Sequence, residues 1–130
     1  MNYVKHKAEE SLEDYLETIL SLQNKLGQIR SIDIVHELGY SKPSVSVAMK
    51  NLREREYITM TSDGYITLTE SGKQRAENVM ERHKLLYDWL IRIGVSEKTA
   101  MEDACKIEHD LSEESFEKIK AFLEKHNHMD

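Results

Sequence analysis

Apolar positions recur with two different periods along this chain, and the change of period organises its central stretch, Ser31 to Leu68. Ile34, Val35 and Leu38 lie on one face of a short helix, and Gly39 stands where a left-handed residue ends it. Ser41 is placed to cap a second helix, with Pro43 in the first turn, where no backbone N–H is needed. Val45, Met49 and Leu52 form its apolar stripe at i, i+4, i+7, while Ser44, Ser46, Val47, Lys50, Asn51 and Arg53 make the opposite face. The period then falls to two. Tyr57, Ile58 and Met60 alternate with polar residues, Ser62-Asp63-Gly64 turns the chain, and Tyr65, Ile66 and Leu68 return. A helix-turn-helix followed at once by a hairpin is a winged layout, and the small, polar, cationic face of its second helix suits a major groove. Ser41, Pro43, Ser44, Ser46, Val47 and Lys50 are the residues expected to face DNA. An αα-hairpin with an added β-hairpin fits the same spacing.

Helical periodicity covers the remainder. Glu9 to Lys25 reads as a first helix, with Leu12, Leu16, Ile19 and Gln23 as its stripe and Tyr15, Leu20 and Leu22 widening it. Asp14 and Glu17 share another face at i, i+3. On their own they read as a solvated acidic face near a helix N-terminus. After the hairpin, Thr69-Glu70-Ser71-Gly72 carries a capping signal, and a long helix runs from Gly72 to about Ile93. Ala76, Val79, Met80, Leu85, Leu86, Trp89 and Leu90 give it more apolar surface than a small winged domain needs, which points to a second domain and a homodimer interface. Gly94 breaks it. Ser96 is expected to cap a helix to about Asp110, and Ser112 a last helix to about Lys125, whose apolar face is Phe116, Ile119, Phe122 and Leu123. His126 and His128 fall in a tail expected to fray.

The expected architecture is mainly α with a small β-hairpin. Residues 1–72 form a winged helix-turn-helix DNA-binding domain, and residues 73–130 a helical metal-binding and dimerisation domain. No apolar run is long enough to span a membrane, the start has no signal-peptide core, and one cysteine excludes an internal disulfide. A cytoplasmic protein with no membrane partner is the expectation. Net charge of −6 is unusual for a DNA binder, but its distribution resolves the difficulty. Ten of the 24 acidic residues lie from Ser96 onward with five of the 18 basic ones, which leaves 14 acidic against 13 basic before it. Lys42, Lys50, Arg53 and Arg55 gather around the second helix of the helix-turn-helix, with Lys25 and Arg30 upstream.

One stretch concentrates ligand chemistry. Cys105, Glu108 and His109 stand at i, i+3, i+4 and project from one helix face within a turn. Thiolate, carboxylate and imidazole together suit a transition-metal dication, not the all-oxygen preference of calcium or magnesium. A lone cysteine is more commonly a small buried hydrophobe, and His83, alone in the long helix between Arg82 and Lys84, would not be selected as a ligand by itself.

Five strings in order resemble the diphtheria-toxin-repressor family of metal-dependent transcriptional regulators, in its short manganese-transport-regulator branch. They are Leu12-Glu13-Asp14-Tyr15-Leu16-Glu17, Ser41-Lys42-Pro43-Ser44-Val45-Ser46, Leu68-Thr69-Glu70-Ser71-Gly72, Arg82-His83-Lys84-Leu85-Leu86, and Ile107-Glu108-His109 followed by Leu111-Ser112. The resemblance implies that Asp14, Glu17, His83, Cys105, Glu108 and His109 occupy the family's primary metal positions, so that a bound ion ties the DNA-reading head to the dimer core. It also implies a member without the SH3-like domain of longer relatives. The manganese branch pairs aspartate with glutamate at the positions of Asp14 and Cys105, and the iron branch pairs methionine with cysteine. This chain carries Asp14 with Cys105, a hybrid. Tyr87 stands where the iron branch's ancillary site has a carboxylate, which argues against such a site here.

The expected function is a homodimeric, metal-activated repressor that senses Mn(II) or Fe(II) and binds a palindromic double-stranded DNA operator of metal-uptake genes, paired through its C-terminal helices. A winged-helix regulator outside metal control is the alternative. An enzyme built on a Cys-Glu-His site ranks last, because no spacing supplies a separate nucleophile with its base and oxyanion donors.

Overall fold

The computed structural model describes residues 3–127, with side chains from Ser11 to His126. The elements run α1 (Tyr3–Leu26), α2 (Ser31–Leu38), α3 (Lys42–Glu54), β1 (Ile58–Met60), β2 (Ile66–Leu68), α4 (Glu70–Arg92), α5 (Glu97–Asp110) and α6 (Glu113–Asn127). They fall into two compact units, one up to Asn78 and one from Val79.

In the first unit α1 packs on α2, α3 and β2. Leu12, Tyr15, Leu16, Ile19, Leu20 and Leu22 of α1 are buried, together with Ile34 of α2 and Val45, Met49 and Leu52 of α3. These are the stripes that the periodicity predicts. Gly39 ends α2 at φ 70°, and Ser41 caps α3 by accepting the Ser44 N–H at 3.2 Å. The strands pair antiparallel with Ile58 opposite Leu68 and Met60 opposite Ile66. Ile29 adds an antiparallel bridge to Ile66, its carbonyl accepting the Ile66 N–H at 2.9 Å, so the hairpin is anchored to the segment entering α2.

The junction between α3 and β1 is clamped by the start of α4. Glu56 adopts φ 61°, a left-handed conformation unfavourable for a residue with a Cβ. Its carbonyl accepts the Thr69 hydroxyl at 2.6 Å, and the Tyr57 carbonyl accepts the Thr69 N–H at 2.9 Å. Thr69 Oγ1 also accepts the Gly72 N–H at 3.1 Å, so one threonine caps α4 and holds the turn. Arg75, one turn into α4, donates to Tyr57 Oη at 2.7 Å and reaches Glu13 Oε2 at 3.4 Å.

In the second unit α4 and α5 run antiparallel through the short reversal at Gly94, which has φ 103°. Leu86 and Leu90 of α4 form a buried cluster with Ala100 and Ala104 of α5. The two alanines stand one turn apart on the face of α5 that meets α4. Phe116 of α6 is buried, Ile119 and Leu123 are half-buried, and Phe122 is 59% exposed.

Several element boundaries differ from the expectation. Helix α1 begins six residues before Glu9, at Tyr3. Helix α6 continues through His126, whose imidazole lies 2.9 Å from the Phe122 carbonyl and stacks on the Phe122 ring, so His126 is helical rather than frayed. His128 lies outside the described residues. Ser96 occupies the N-cap of α5 without a side-chain cap bond, whereas Ser112 accepts the Ser115 N–H at 3.0 Å. No described helix is long and apolar enough to cross a membrane.

Gly72 is the tightest point of the α4 clamp, since a Cβ there would collide with the Tyr57 carbonyl. Gly72→Ala is expected to destabilise the first unit by about 1–3 kcal/mol, the usual cost of overpacking. Urea denaturation of the two proteins checks it. An unchanged midpoint would mean that α4 does not close on the turn at Tyr57.

Candidate metal centre and nucleic-acid interface

The buried residues of α5 are Ala100, Ala104 and Glu108, spaced i, i+4, i+8 on one stripe. Glu108 therefore follows the alanines into the interior as a matter of helical register. On α4 the corresponding line is His83, Leu86 and Leu90. Because the helices are antiparallel, Leu90 and Leu86 meet the alanines, and His83 comes level with Glu108. His83 Nδ1 lies 2.9 Å from Glu108 Oε2. His109 Nε2 lies 3.4 Å from Glu108 Oε1, and the His109 and Glu108 side chains are each only 2% exposed. Cys105 Sγ is 3.7 Å from His83 Nδ1, and Cys105 is exposed.

A carboxylate withdrawn from water needs hydrogen-bond or charge partners. Glu108 has an imidazole at each oxygen. Burial pushes the pKa of His83 below its ordinary value, and the neighbouring His109 adds to the effect. His83 is then neutral at pH 7, the form with a lone pair to offer an ion.

One donor atom from each of His83, Cys105 and Glu108 can be chosen so that all three lie within 4.8 Å of one another. Two donors on a single first-row ion, at bond lengths of about 2.0–2.3 Å, sit about 3–3.7 Å apart. The 2.9 and 3.7 Å separations match that spacing, so these residues fit a transition-metal dication. Their mixed N, S and O chemistry excludes calcium and magnesium as preferred ions. The remaining expected ligands stand on α1 in the first unit. Asp14 is exposed, with its carbonyl accepting the Thr18 hydroxyl at 2.8 Å, and Glu17 is half-buried.

The outer face of α3 is open. Ser41, Lys42, Pro43, Ser44, Ser46, Val47, Lys50, Asn51 and Arg53 are all exposed, and Val47 is 63% exposed despite being apolar. The Ser41 hydroxyl serves the helix first, accepting the Ser44 N–H and donating to Ser44 Oγ at 2.9 Å. The wing adds a contact that spacing along the chain does not signal. The guanidinium of Arg30 lies 4.3 Å over the Tyr65 ring, joining the residue before α2 to the one before β2. Arg82 is a second residue that periodicity passes over, and its guanidinium reaches the carbonyls at the end of α5.

Residues 7–66 match the family described as iron dependent repressor, N-terminal DNA binding domain, and residues 69–129 match iron dependent repressor, metal binding and dimerisation domain. The chain is 36% identical over 118 residues to an uncharacterised helix-turn-helix-type transcriptional regulator of Methanocaldococcus jannaschii, covering 89% of this chain and 94% of that one. It is 34% identical over 117 residues to the transcriptional regulator MntR of Escherichia coli O157:H7, covering 90% of this chain and 76% of that one. A manganese-dependent transcriptional repressor solved with manganese superposes with a TM-score of 0.76 at 26% identity, over 86% of this chain and 52% of that one. This chain thus spans about half the length of that solved repressor. With both halves matched, and with relatives of this identity along most of its length, the chain belongs to the diphtheria-toxin-repressor family of iron-dependent repressors, on its manganese-transport-regulator branch.

Proposed function

We propose that this chain is a metal-activated transcriptional repressor that responds to Mn(II) or Fe(II) and, as a homodimer in the cytoplasm, binds a palindromic operator of metal-uptake genes. The observation that carries the reading is the convergence of His83, Cys105 and Glu108, in a segment matching a metal binding and dimerisation domain. His109 completes the α5 contribution, and the family resemblance adds Asp14 and Glu17. When bound, a divalent ion supplies positive charge among these acidic groups, replacing their mutual repulsion with attraction. The chain's own part is to hold a neutral imidazole and a buried carboxylate in register, and to keep a thiol at the exposed side of the cluster. The ion shifts the population toward the DNA-competent form by its differential affinity for that form. A site filled by six protein ligands leaves little room for a substrate, which favours a regulator over an enzyme in this reading.

Operator binding titrated with Mn(II), Fe(II), Co(II) and Zn(II) at one fixed ionic strength tests the reading. Zn(II) is expected to bind well yet activate less fully than Fe(II) or Mn(II), since zinc favours four tetrahedral ligands and leaves part of a larger donor set unused. Cys105→Glu is expected to move the response toward Mn(II), because thiolate favours the softer, later ions. Glu108→Ala, His109→Ala, Asp14→Ala and Glu17→Ala should each weaken the metal response. An intact response in Glu108→Ala or His109→Ala supports the alternative, a winged-helix regulator outside metal control.

The DNA face is assigned to Ser41, Pro43, Ser44, Ser46, Val47 and Lys50. Hydroxyls and Lys50 reach phosphates and base edges, and Pro43 or Val47 can meet a thymine methyl. Lys50→Ala is expected to weaken operator binding and to lower the slope of log affinity against log salt by about one unit. If slope and affinity both stay unchanged, α3 does not present this face to the duplex.

Half-exposed Leu85 and Trp89, with exposed Phe122 and half-buried Leu123, offer apolar surface for pairing of the C-terminal helices. Sedimentation is expected to give a dimer at micromolar concentration. A monomer with and without metal would remove the homodimer from the proposal.

A further inference from the structure

The two α5 residues assigned to the metal, Glu108 and His109, lie in the last turn of a helix that ends at Asp110. Helix ends are the weakest part of a helix, because the last four carbonyls have no intrahelical N–H to accept. A ligand pair placed there is held only as well as the turn itself. Leu111 donates its N–H to the Ile107 carbonyl at 3.2 Å, which satisfies one of these groups. The next is satisfied from another helix. Arg82 Nη1 donates to the Glu108 carbonyl at 3.1 Å and to the Leu111 carbonyl at 2.7 Å. The guanidinium also lies 4.9 Å over the ring of buried Phe116, which fixes its plane and ties the start of α6 to the same point.

Arg82 precedes His83 on α4. Two consecutive residues of one helix therefore grip Glu108 at opposite ends: His83 at the carboxylate, 2.9 Å away, and Arg82 at the carbonyl, 3.1 Å away. One contact alone leaves the last turn of α5 free to rotate about it. Two contacts set both the position of Glu108 along α5 and the direction of its side chain. A cation at the negative end of the α5 dipole adds to the stability of that turn.

Resting on the metal-centre reading above, we propose that Arg82 is a positioning residue for that centre. It holds the last turn of α5 wound, so that the Glu108 carboxylate faces His83 before an ion arrives. Arg82 touches no donor atom of the cluster; it acts through the backbone. Groups that orient metal ligands in this indirect way typically account for about 10–100-fold in affinity.

The test uses the full chain with Co(II) as probe. Affinity is measured by titration, and the ligand set by the thiolate-to-cobalt absorption of Cys105. Arg82→Met is expected to bind Co(II) about 10–100-fold more weakly. Arg82→Lys, which keeps the charge but lacks the planar guanidinium that lies over the Phe116 ring, is expected to fall between. In the metal-free protein, hydrogen exchange of the Leu111 amide should quicken in both variants, while amides in the middle of α4 keep their protection. Unchanged Co(II) affinity and absorption in Arg82→Met would overturn the proposal. If Arg82→Met does not fold, Arg82→Lys decides, and wild-type affinity with wild-type exchange at Leu111 overturns it. Glu108→Ala separates the two levels. Loss of Co(II) binding there beside unchanged Arg82 variants sinks only the positioning role, whereas retained Co(II) binding in Glu108→Ala sinks the metal centre itself.

Discussion

The chemistry of this protein turns on one buried carboxylate. Glu108 is 3% exposed, on the stripe that α5 otherwise fills with Ala100 and Ala104. A charged group in that place costs several kcal/mol of desolvation unless it is paired. His83 and His109 meet its oxygens, and Arg82 meets its carbonyl. Ala100 and Ala104 pack with Leu86 and Leu90, and one turn further along the same stripe Glu108 comes level with His83. Packing in the second unit and the readiness of the cluster for a cation are thus consequences of the same helix register.

The first unit solves a different problem with the same means. Helix α3 must hold itself to the protein while offering a face to a partner. Val45, Met49 and Leu52 are buried, and Ser46, Val47, Lys50 and Asn51 between them are open to solvent. The pitch of the wing is set from behind, where Thr69 binds the strained Glu56 turn and Arg75 joins Tyr57 to Glu13. None of these residues is on the outer face of α3. They determine where that face and the hairpin stand relative to each other.

Much of this was legible in the order of residues. The stripes on α1 to α4, the Gly39 stop, the Ser41 and Ser112 caps and the hairpin all follow from local rules, and all are present. Local rules failed where the deciding partner is remote or where two local preferences compete. Ser96 has the right chemistry for a cap but makes no side-chain cap bond. Arg30 over Tyr65 and Arg82 on the end of α5 join residues about 30 positions apart, and neither pair leaves a periodic trace. His83 is the clearest case. Its immediate neighbours say nothing of a ligand, and it meets other candidate ligands only where the antiparallel pairing of α4 and α5 brings it level with Glu108. The family resemblance supplied what spacing alone did not.

The same geometry explains why the hybrid character of this chain sits at position 105. Within the cluster, Glu108 and His109 have side chains almost wholly removed from solvent, and each oxygen of the carboxylate has a neighbour. Replacing either would leave a buried group without its partner, at a cost to folding of about 1–3 kcal/mol before any effect on metal. Cys105 is different. It stands one turn earlier, on the exposed side of α5, within reach of His83 but outside the buried stripe. A thiol or a carboxylate can occupy that site with little consequence for the core. In the proposed centre, the donor that would separate softer from harder ions is therefore the exposed one, Cys105. The buried donors on the same helix, Glu108 and His109, offer an oxygen and a nitrogen that late and early transition metals both accept. Selectivity and packing then fall to different residues of a single helical turn.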